Sequence, residues 1–242
     1  DLDREQPALA APGHRIQFRA VRETLTLASE PQPEDAAAEV ASGLRIVSPG
    51  LQSLIQDLGR HGHSGLGVSA SGALDRASLR RANRLVGNAP SAASIETVAG
   101  GLTVGLTVQA VGDQVLAVAG APSELSITTP AGPDAEPLHR TVPMATPFAL
   151  LDGETLSIGA PESGFRSYLA VRGGVDTAPV LGSRSTDTMS GIGPAPLAAG
   201  QLLAAGGEAE SGVVGNPELQ PDFPGTAVTV LDVVPGPRAD WF

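Results

Sequence analysis

The segment from Gln56 to Asp75, QDLGRHGHSGLGVSASGALD, carries many side chains that could do chemistry. It has two carboxylates, an arginine, two histidines and an amide among five glycines. Glycine permits turns and lets a backbone approach a ligand closely, so this segment is unlike a packed helix or strand. It predicts an exposed loop, here called the first loop, with three chemistries to weigh: nucleotide binding, metal binding and nucleophilic catalysis.

Nucleotide binding is suggested by GLGVSA, Gly65 to Ala70, which formally matches the G-x-G-x-x-G/A pattern. That pattern requires a preceding strand, a following helix within a βαβ unit, and an acidic residue about 20 positions further on. Here the surrounding sequence predicts antiparallel strands, and nothing near Val86 is acidic. The sequence therefore disfavours a dinucleotide site.

Metal binding is suggested by His61 and His63, which would share one face of a strand. The other histidines of the chain are His14 and His139, and the chain has no cysteine. No spacing identifies carboxylates that would complete a ligand set. We interpret the pair as surface-loop histidines and predict no metal site.

Nucleophilic catalysis would need a serine with a neighbouring base. The candidate serines are Ser69, Ser71, Ser183 and Ser185, and no G-x-S-x-G elbow is present. We interpret them as loop or cap serines.

A second glycine- and serine-rich segment, VLGSRSTDTMSGIG, extends from Val180 to Gly193 and is here called the second loop. Its Arg184 is flanked by two serines and followed by Asp187. An arginine can hold a carboxylate or phosphate through two parallel hydrogen bonds, although a structural role is the more common one. Two such loops in one β domain are expected to share a rim.

One helix, at about residues 73–87, is predicted from SGALDRASLRRANRLVGN, with Ser71 as a candidate N-cap and Gly87 at its end. Its apolar and arginine-rich faces are distinct. Asp75 falls on the apolar face in the first turn, where a carboxylate is costly unless it is hydrogen-bonded. Two roles stay open: Asp75 stabilises the helix N-terminus, or it faces a ligand site.

The remaining pattern is mainly β. Runs such as IQF, LRIV, QVLAVAG, ELSITT, ETLSIGA and RSYLAV, separated by Gly, Pro and Asp turns, predict short antiparallel strands in a barrel or sandwich. Scarce bulky apolar residues and several prolines and carboxylates predict a linker at 28–43. A main domain is expected at 44–203, a loop at 204–225 and the start of a further module at 226–242.

Composition excludes several functions. The net charge of −11 provides no basic face for nucleic acid. All basic residues are arginine, so this chain offers no Walker A lysine, no Schiff base, no biotin attachment site and no Ser-Ser-Lys amidase triad. No apolar run approaches the ~18–20 residues of a membrane span, and no signal peptide is visible. We expect a cytoplasmic protein whose numbering starts inside a longer product.

These motifs, together with IETVAGGLTV and FRSYLAVRGGVD, resemble the family of the 5-oxoprolinase C subunit, KipA, allophanate hydrolase subunit 2 and the carboxyltransferase region of urea carboxylase. The resemblance covers residues 44–242. Residues 1–27 resemble the tail of the KipI-like B subunit, which implies a B–C fusion. The family implies a cyclophilin-like antiparallel β-barrel and an active region near the B–C interface.

The resemblance also implies catalytic roles. In the family's Q-D-x-G-R motif, Asp57 would be a base or an orienting group and Arg60 an anion anchor. Asp75, in the S-G-x-x-D motif, is the third catalytic candidate.

The same resemblance implies a set of substrate-binding residues. They are Gln56, Ser71, Gly72, Arg184 and Ser185. Free N–H groups of the glycine loop would bind an oxyanion.

The implied activity is that of one component of an ATP-dependent lactam hydrolase, which opens 5-oxoproline to glutamate together with its A and B subunits. No ATP motif is visible in this chain, so other subunits would use the ATP. Two alternatives stay open: a carboxyltransferase that moves a carboxyl group from carboxybiotin to urea or a similar amide, and a KipA-like protein that binds a kinase inhibitor.

Overall fold

The computed structural model of the chain describes residues 13–19, 42–98, 105–132, 135–207 and 212–220, with 228, 230, 232–234 and 236. In these residues the strands are β1 (Gly43–Ser48), β2 (Gln52–Gln56), β3 (Ser94–Val98), β4 (Thr107–Val111), β5 (Gln114–Gly120), β6 (Ser123–Thr129), β7 (Leu138–Val142), β8 (Phe148–Leu150), β9 (Thr155–Pro161), β10 (Arg166–Val171), β11 (Val175–Asp176) and β12 (Leu202–Ala205). A short 3-10 helix covers Ser64–Leu66, and the α-helix, α1, covers Arg76–Leu85.

The described strands form two antiparallel sheets. The larger sheet has the order β11-β12-β1-β4-β9-β6-β7, and the smaller sheet has the order β2-β3-β10-β5-β8. Every recorded pairing is antiparallel, as in β5 with β10, where Ala117 lies opposite Ala170. Strand β2 is an edge strand of the smaller sheet, and the first loop begins at its end.

The main core lies between the inner faces of the two sheets. In β5, Leu116 and Val118 point into this core, whereas Ala117 and Ala119 belong to a second apolar cluster on the opposite face. This alternation follows from the two-residue period of a strand. The small alanines on the outer face let α1 lie close to the smaller sheet, so the described part of the chain has three layers: sheet, sheet and helix.

Helix α1 buries Leu79, Ala82 and Leu85 against the outer face of the smaller sheet. Each leucine contributes about 2 kcal/mol through removal of its side chain from water. The Asp75 carboxylate is the N-cap: its Oδ1 accepts hydrogen bonds from the backbone N–H groups of Ala77 (3.1 Å) and Ser78 (3.0 Å). The predicted N-cap, Ser71, was wrong, because its hydroxyl donates to a carbonyl of the second loop instead.

The predicted mainly antiparallel fold with one principal helix is confirmed for the described residues. Their two sheets are not closed into one barrel, because the edge strands β7 and β11 of the larger sheet, and β2 and β8 of the smaller one, have no strand partner on their outer sides. The predicted strand at Ile16 to Phe18 was wrong: those residues form no strand, and Phe18 is 92% exposed. Most of the predicted B-subunit tail, the linker and the module at 226–242 lie outside the described residues.

Within the described part of the chain, no helix combines the length and apolar character that a membrane crossing requires.

The capping role of Asp75 predicts that Asp75→Ala lowers the free energy of unfolding by about 0.5–2 kcal/mol, since two helix N–H groups lose their acceptor. Urea denaturation monitored by circular dichroism measures this change. Asp75→Asn retains a side-chain acceptor and should be closer to wild type. The control is Leu74→Ala, because Leu74 is 72% exposed. Equal stability of Asp75→Ala and Leu74→Ala would contradict the capping role.

Candidate functional site

The first and second loops meet beside the end of β2. The backbone N–H of Thr186 donates to the Ile55 carbonyl (2.9 Å), and the Thr186 carbonyl accepts from Gln56 Nε2 (3.0 Å) and Ser71 Oγ (2.9 Å). Further out, Ser69 Oγ donates to Asp187 (2.6 Å). The structure thus brings together the two segments that the sequence identified, and their contact is here called the loop junction.

Asp57 lies at the centre of the loop junction and is 8% exposed. Its Oδ1 accepts hydrogen bonds from the hydroxyls of Ser185 (2.5 Å) and Ser183 (2.7 Å) and from the backbone N–H of Gly59 (2.7 Å). Its Oδ2 accepts from the backbone N–H of Arg184 (2.7 Å). Both carboxylate oxygens are therefore occupied by groups of the protein.

These contacts decide the protonation state of Asp57. Burial is the largest single effect and raises the pKa, but the hydrogen bonds from Ser185, Ser183, Arg184 and Gly59 together outweigh it and lower the pKa below its ordinary value of 3.8. A carboxylate with a lowered pKa and no free oxygen is a weak proton acceptor. The geometry favours the orienting role of Asp57 over the role of general base.

Arg60 is buried beneath the same loops and is 1% exposed. Its backbone N–H donates to the Ala70 carbonyl (2.7 Å), its Nη2 donates to the Ser185 carbonyl, and its Nε lies 3.5 Å from the Val180 carbonyl. Its guanidinium forms no ion pair with the described residues. Arg60 therefore joins the two loops through backbone carbonyls instead of facing solvent.

Three buried polar atoms at the loop junction have no hydrogen-bond partner in the described part of the protein. They are Gln56 Oε1, Arg60 Nη1 and Thr186 Oγ1. Buried polar atoms are usually satisfied by protein or by ordered water. The set consists of an N–H donor, a carbonyl acceptor and a hydroxyl.

The backbones of Gly59 and Gly72 are in direct contact. A Cβ atom on Gly72 would lie 2.7 Å from the Gly59 nitrogen, and one on Gly59 would lie 2.5 Å from the Ala70 carbonyl oxygen. Both residues also have positive φ angles, 92° and 91°. Gly72 is thus required by the closure of the first loop, and it presents no side chain to a substrate.

The N-terminus of α1 is held by a buried network that sequence reasoning missed. The Tyr168 hydroxyl donates to Glu96 Oε2 (2.6 Å) and accepts from the backbone N–H of Asp75 (2.8 Å), while Arg166 Nε donates to Glu96 Oε1 (3.0 Å). Burial, and then the hydrogen bond to Glu96, raise the pKa of Tyr168 far above its ordinary value. The signal was available: Glu96 is an acidic residue inside the apolar run SIETV.

This network and the helix cap together account for Asp75. Its Oδ2 accepts from the Ser78 hydroxyl (2.6 Å), so both of its oxygens bind the helix that it starts. Of the two roles left open by the sequence, the geometry favours the structural one.

Arg184 differs from the other candidates because its side chain leaves the loop junction. Its backbone N–H binds Asp57, but its Nε donates to the Thr177 carbonyl (2.7 Å), and the side chain lines a cleft of about 460 Å³. The cleft also involves the turn between β10 and β11 and the segment before β3. Sequence reasoning identified Arg184 but not the walls around it, because they come from segments distant in sequence.

The remaining candidates have local roles. Ser69 and the hydroxyl of Ser190 are the main causes that lower the pKa of Asp187 to about 2. His61 Nε2 is 3.0 Å from the Leu58 carbonyl oxygen and is exposed. No group of three or more His, Cys, Asp or Glu side chains that could hold a metal is found among the described residues. The interpretation of the serines as loop residues agrees with these contacts.

The contact of Gly59 with Gly72 predicts that Gly72→Ala is more destabilising than Gly62→Ala by about 1–3 kcal/mol, the usual cost of overpacking. Gly62 is the matched control, because its φ is 88° and a Cβ atom there would meet nothing within 4 Å. Both variants carry the cost of the positive φ, so their difference in the free energy of unfolding reports the steric contact. Equal losses would show that the two backbones can separate freely.

The lowered pKa of Asp57 makes part of the stability dependent on pH. Because the folded state holds the carboxylate ionised, this contribution is fully present above pH 3.8, the ordinary value, and is lost as the pH falls through the folded pKa. Asp57→Asn should cost about 2 kcal/mol or more at pH 7, since an amide repels at least one of the four donors. It should also flatten the fall in unfolding free energy below pH 4.

Denaturation series at several pH values test this prediction, with the exposed Glu124→Gln as the control. An acid slope that is the same in Asp57→Asn and wild type would show that another group causes the acid sensitivity.

Comparison with known proteins gives consistent results. The chain is 39% identical over 150 residues to the C subunit of 5-oxoprolinase from Escherichia coli, which is 62% of this chain and 44% of that protein. It is 35% identical over 153 residues to urea amidolyase of Saccharomyces cerevisiae, covering 63% of this chain and 8% of that protein. The chain thus spans less than half the length of these curated relatives.

A solved structure shows the same relationship. The crystal structure of Kluyveromyces lactis urea carboxylase superposes with a TM-score of 0.60 at 30% identity, covering 78% of this chain and 16% of that one. The family model described as carboxyltransferase domain, subdomain A and B, matches residues 66–242. This match includes most of the chain and confirms the resemblance seen in its motifs. The chain therefore belongs to the carboxyltransferase domain family, subdomains A and B.

Proposed function

We propose that this chain is the C-subunit part of an ATP-dependent 5-oxoprolinase, which opens the lactam of 5-oxoproline to glutamate together with its A and B subunits. The observation that carries the proposal is the 39% identity to the C subunit of a 5-oxoprolinase. The proposed activity belongs to the assembled enzyme, and the B subunit is proposed to be fused upstream of this chain.

The chemistry of the reaction is compatible with different subunits using ATP and binding the lactam. A lactam carbonyl is a poor electrophile, so phosphorylation of its oxygen by ATP would activate it for attack by water. The sequence offers no phosphate loop for ATP, and this chain is proposed to hold the lactam or its activated form instead. A preorganised set of hydrogen-bond donors is the usual means of stabilising the charge that develops on such an oxygen.

The geometry revises the proposed roles of individual residues. Asp57 is proposed to orient the second loop, because both of its oxygens are occupied. Gln56 and Arg60 are proposed to supply the unsatisfied amide oxygen and N–H group at the loop junction. Arg184 is proposed as the anion anchor, since its side chain lines the cleft. Asp75 and Ser71 are proposed to support the site without contacting substrate.

A second candidate is favoured by the family model and by the 35% identity to urea amidolyase. In this case the chain would be a carboxyltransferase that moves a carboxyl group from carboxybiotin to urea or a similar amide. The biotin would arrive on a separate carrier domain, because this chain has no lysine to which biotin could be attached. An arginine in the cleft suits the carboxylate of 5-oxoproline, and it would also suit the carboxylate of carboxybiotin, so Arg184 alone does not separate the two candidates.

The test is glutamate release from 5-oxoproline and ATP by the full-length gene product, combined with the A subunit from the same genome. Wild type should release glutamate, and Arg60→Lys should reduce kcat/KM at least about ten-fold, since the loss of one charged hydrogen bond costs about 1.5 kcal/mol or more. Arg45→Gln, an exposed arginine on β1, is the control and should behave as wild type.

Absence of glutamate from wild type, with carboxylation of urea in the presence of carboxybiotin, would replace the proposal with the carboxyltransferase. Full activity of a folded Arg60→Lys variant would overturn the proposed role of Arg60 at the loop junction in the reaction.

A further inference from the structure

The cleft that Arg184 lines is built mainly from glycine and alanine. It lies where the residues that follow α1, the turn between β10 and β11, and the end of β12 come together, and its volume of about 460 Å³ is that of a small-molecule site. Small wall residues leave the backbone accessible, so a ligand would be recognised by a few polar groups.

The walls of the cleft are held rigidly. A Cβ atom on Gly173 would lie 2.0 Å from the Gly206 carbonyl oxygen, so these two backbones are in contact. The N–H of Gly206 donates to the Gly174 carbonyl (2.9 Å), and the N–H of Gly173 donates to Asn88 Oδ1 (2.8 Å). These fixed contacts mean that the cleft exists before a ligand arrives, which lowers the entropic cost of binding.

Arg184 is the cationic side chain among the residues that line the cleft. Its position is fixed at two points, by the Asp57 carboxylate at its backbone N–H (2.7 Å) and by the Thr177 carbonyl at its Nε (2.7 Å). No acceptor in the described part of the chain takes a hydrogen bond from its two terminal nitrogens. A guanidinium that is anchored at Nε and open at its terminal nitrogens is prepared to bind a carboxylate.

The cleft also has one acidic lining residue, Asp176, which is exposed on β11. A ligand with a carboxylate alone would be attracted by Arg184 and repelled by Asp176. A ligand that also carries an N–H or ammonium group would satisfy both residues. The two charges therefore select for a particular combination of groups.

We propose that this cleft binds a small carboxylic acid with a neighbouring N–H or ammonium group, with Arg184 as the carboxylate anchor and Asp176 as the N–H acceptor. Both 5-oxoproline and glutamate belong to this class. Their assignment as ligands rests on the proposed function, whereas carboxylate binding at Arg184 rests on the geometry of the cleft.

The test measures binding of three probes to the full-length protein by isothermal titration calorimetry. 5-Oxoproline has both groups, 2-pyrrolidinone lacks the carboxylate, and tetrahydrofuran-2-carboxylate lacks the N–H. Wild type should bind 5-oxoproline at least about ten-fold more tightly than 2-pyrrolidinone, and Arg184→Gln should remove this advantage. Asp176→Asn should bind 5-oxoproline more weakly than wild type does. The same variant should bind tetrahydrofuran-2-carboxylate at least as tightly as wild type does, because this probe has no N–H group to donate to Asp176. Arg45→Gln is the control for loss of one positive charge.

Two further measurements keep the proposal testable if Arg184→Gln does not fold. Arg184→Lys keeps the charge but cannot form the two parallel hydrogen bonds, so it should bind 5-oxoproline more weakly than wild type. In wild type, 5-oxoproline should shift the amide resonances of Gly173 and Gly174. Absence of 5-oxoproline binding, equal binding of 2-pyrrolidinone, or unchanged affinity in folded Arg184 variants would overturn the proposal.

The outcomes also separate this site from the proposed function. Glutamate release that is unaffected in Arg184→Gln would overturn the proposal that the cleft binds 5-oxoproline, but it would leave the proposed 5-oxoprolinase activity supported. Arg184-dependent carboxylate binding, without glutamate release from any assembled complex, would support carboxylate binding in the cleft and overturn the proposed 5-oxoprolinase activity.

Discussion

The Asp57 carboxylate connects two loops whose contacting residues are 126 to 128 positions apart in the chain. Four donors surround it, and each belongs to a residue that contributes to the shape of the loop junction. The same carboxylate holds the backbone of Arg184, so the direction of that side chain into the cleft depends on it. Loss of this one charge would weaken four hydrogen bonds at once, and three of them come from the second loop.

Residues with little or no side chain determine how closely the layers approach. Alanines on the outer face of β5 and β10 let α1 lie against the smaller sheet. Glycines allow close backbone contacts, at Gly59 with Gly72 in the loop junction and at Gly173 with Gly206 in the cleft. Both sites are thus built by backbones in contact, with a few charged side chains added. This construction gives rigid sites in a chain that has few aromatic residues.

Sequence patterns predicted the parts that local rules determine. The run QVLAVAG between turn residues predicted β5, and the 3.6-residue periodicity predicted α1 to within a few residues. Strands β7 and β8 were missed, because exposed edge strands have little alternation and short ones have little pattern of any kind.

For the candidate site, the sequence predicted which segments take part but not the role of each residue. The glycine-rich composition located both loops, but it could not distinguish Asp57 from Asp75. One carboxylate accepts from residues far along the chain and the other from its own helix, and only the fold shows this difference. The cleft walls and the Glu96–Tyr168 pair were missed for the same reason.

The separation between Asp57 and its donors has a consequence for the order of folding. Closing a long loop costs entropy before its contacts can offset that cost, so contacts distant in sequence tend to form late. Pairings over shorter separations, such as β2 with β3 and β1 with β4, can form while Asp57 is still hydrated. Until Ser183 and Ser185 leave the ribosome, the Asp57 carboxylate lacks three of its four donors, and water takes their place. The loop junction is therefore expected to form only after strands β1 to β11 have been synthesised.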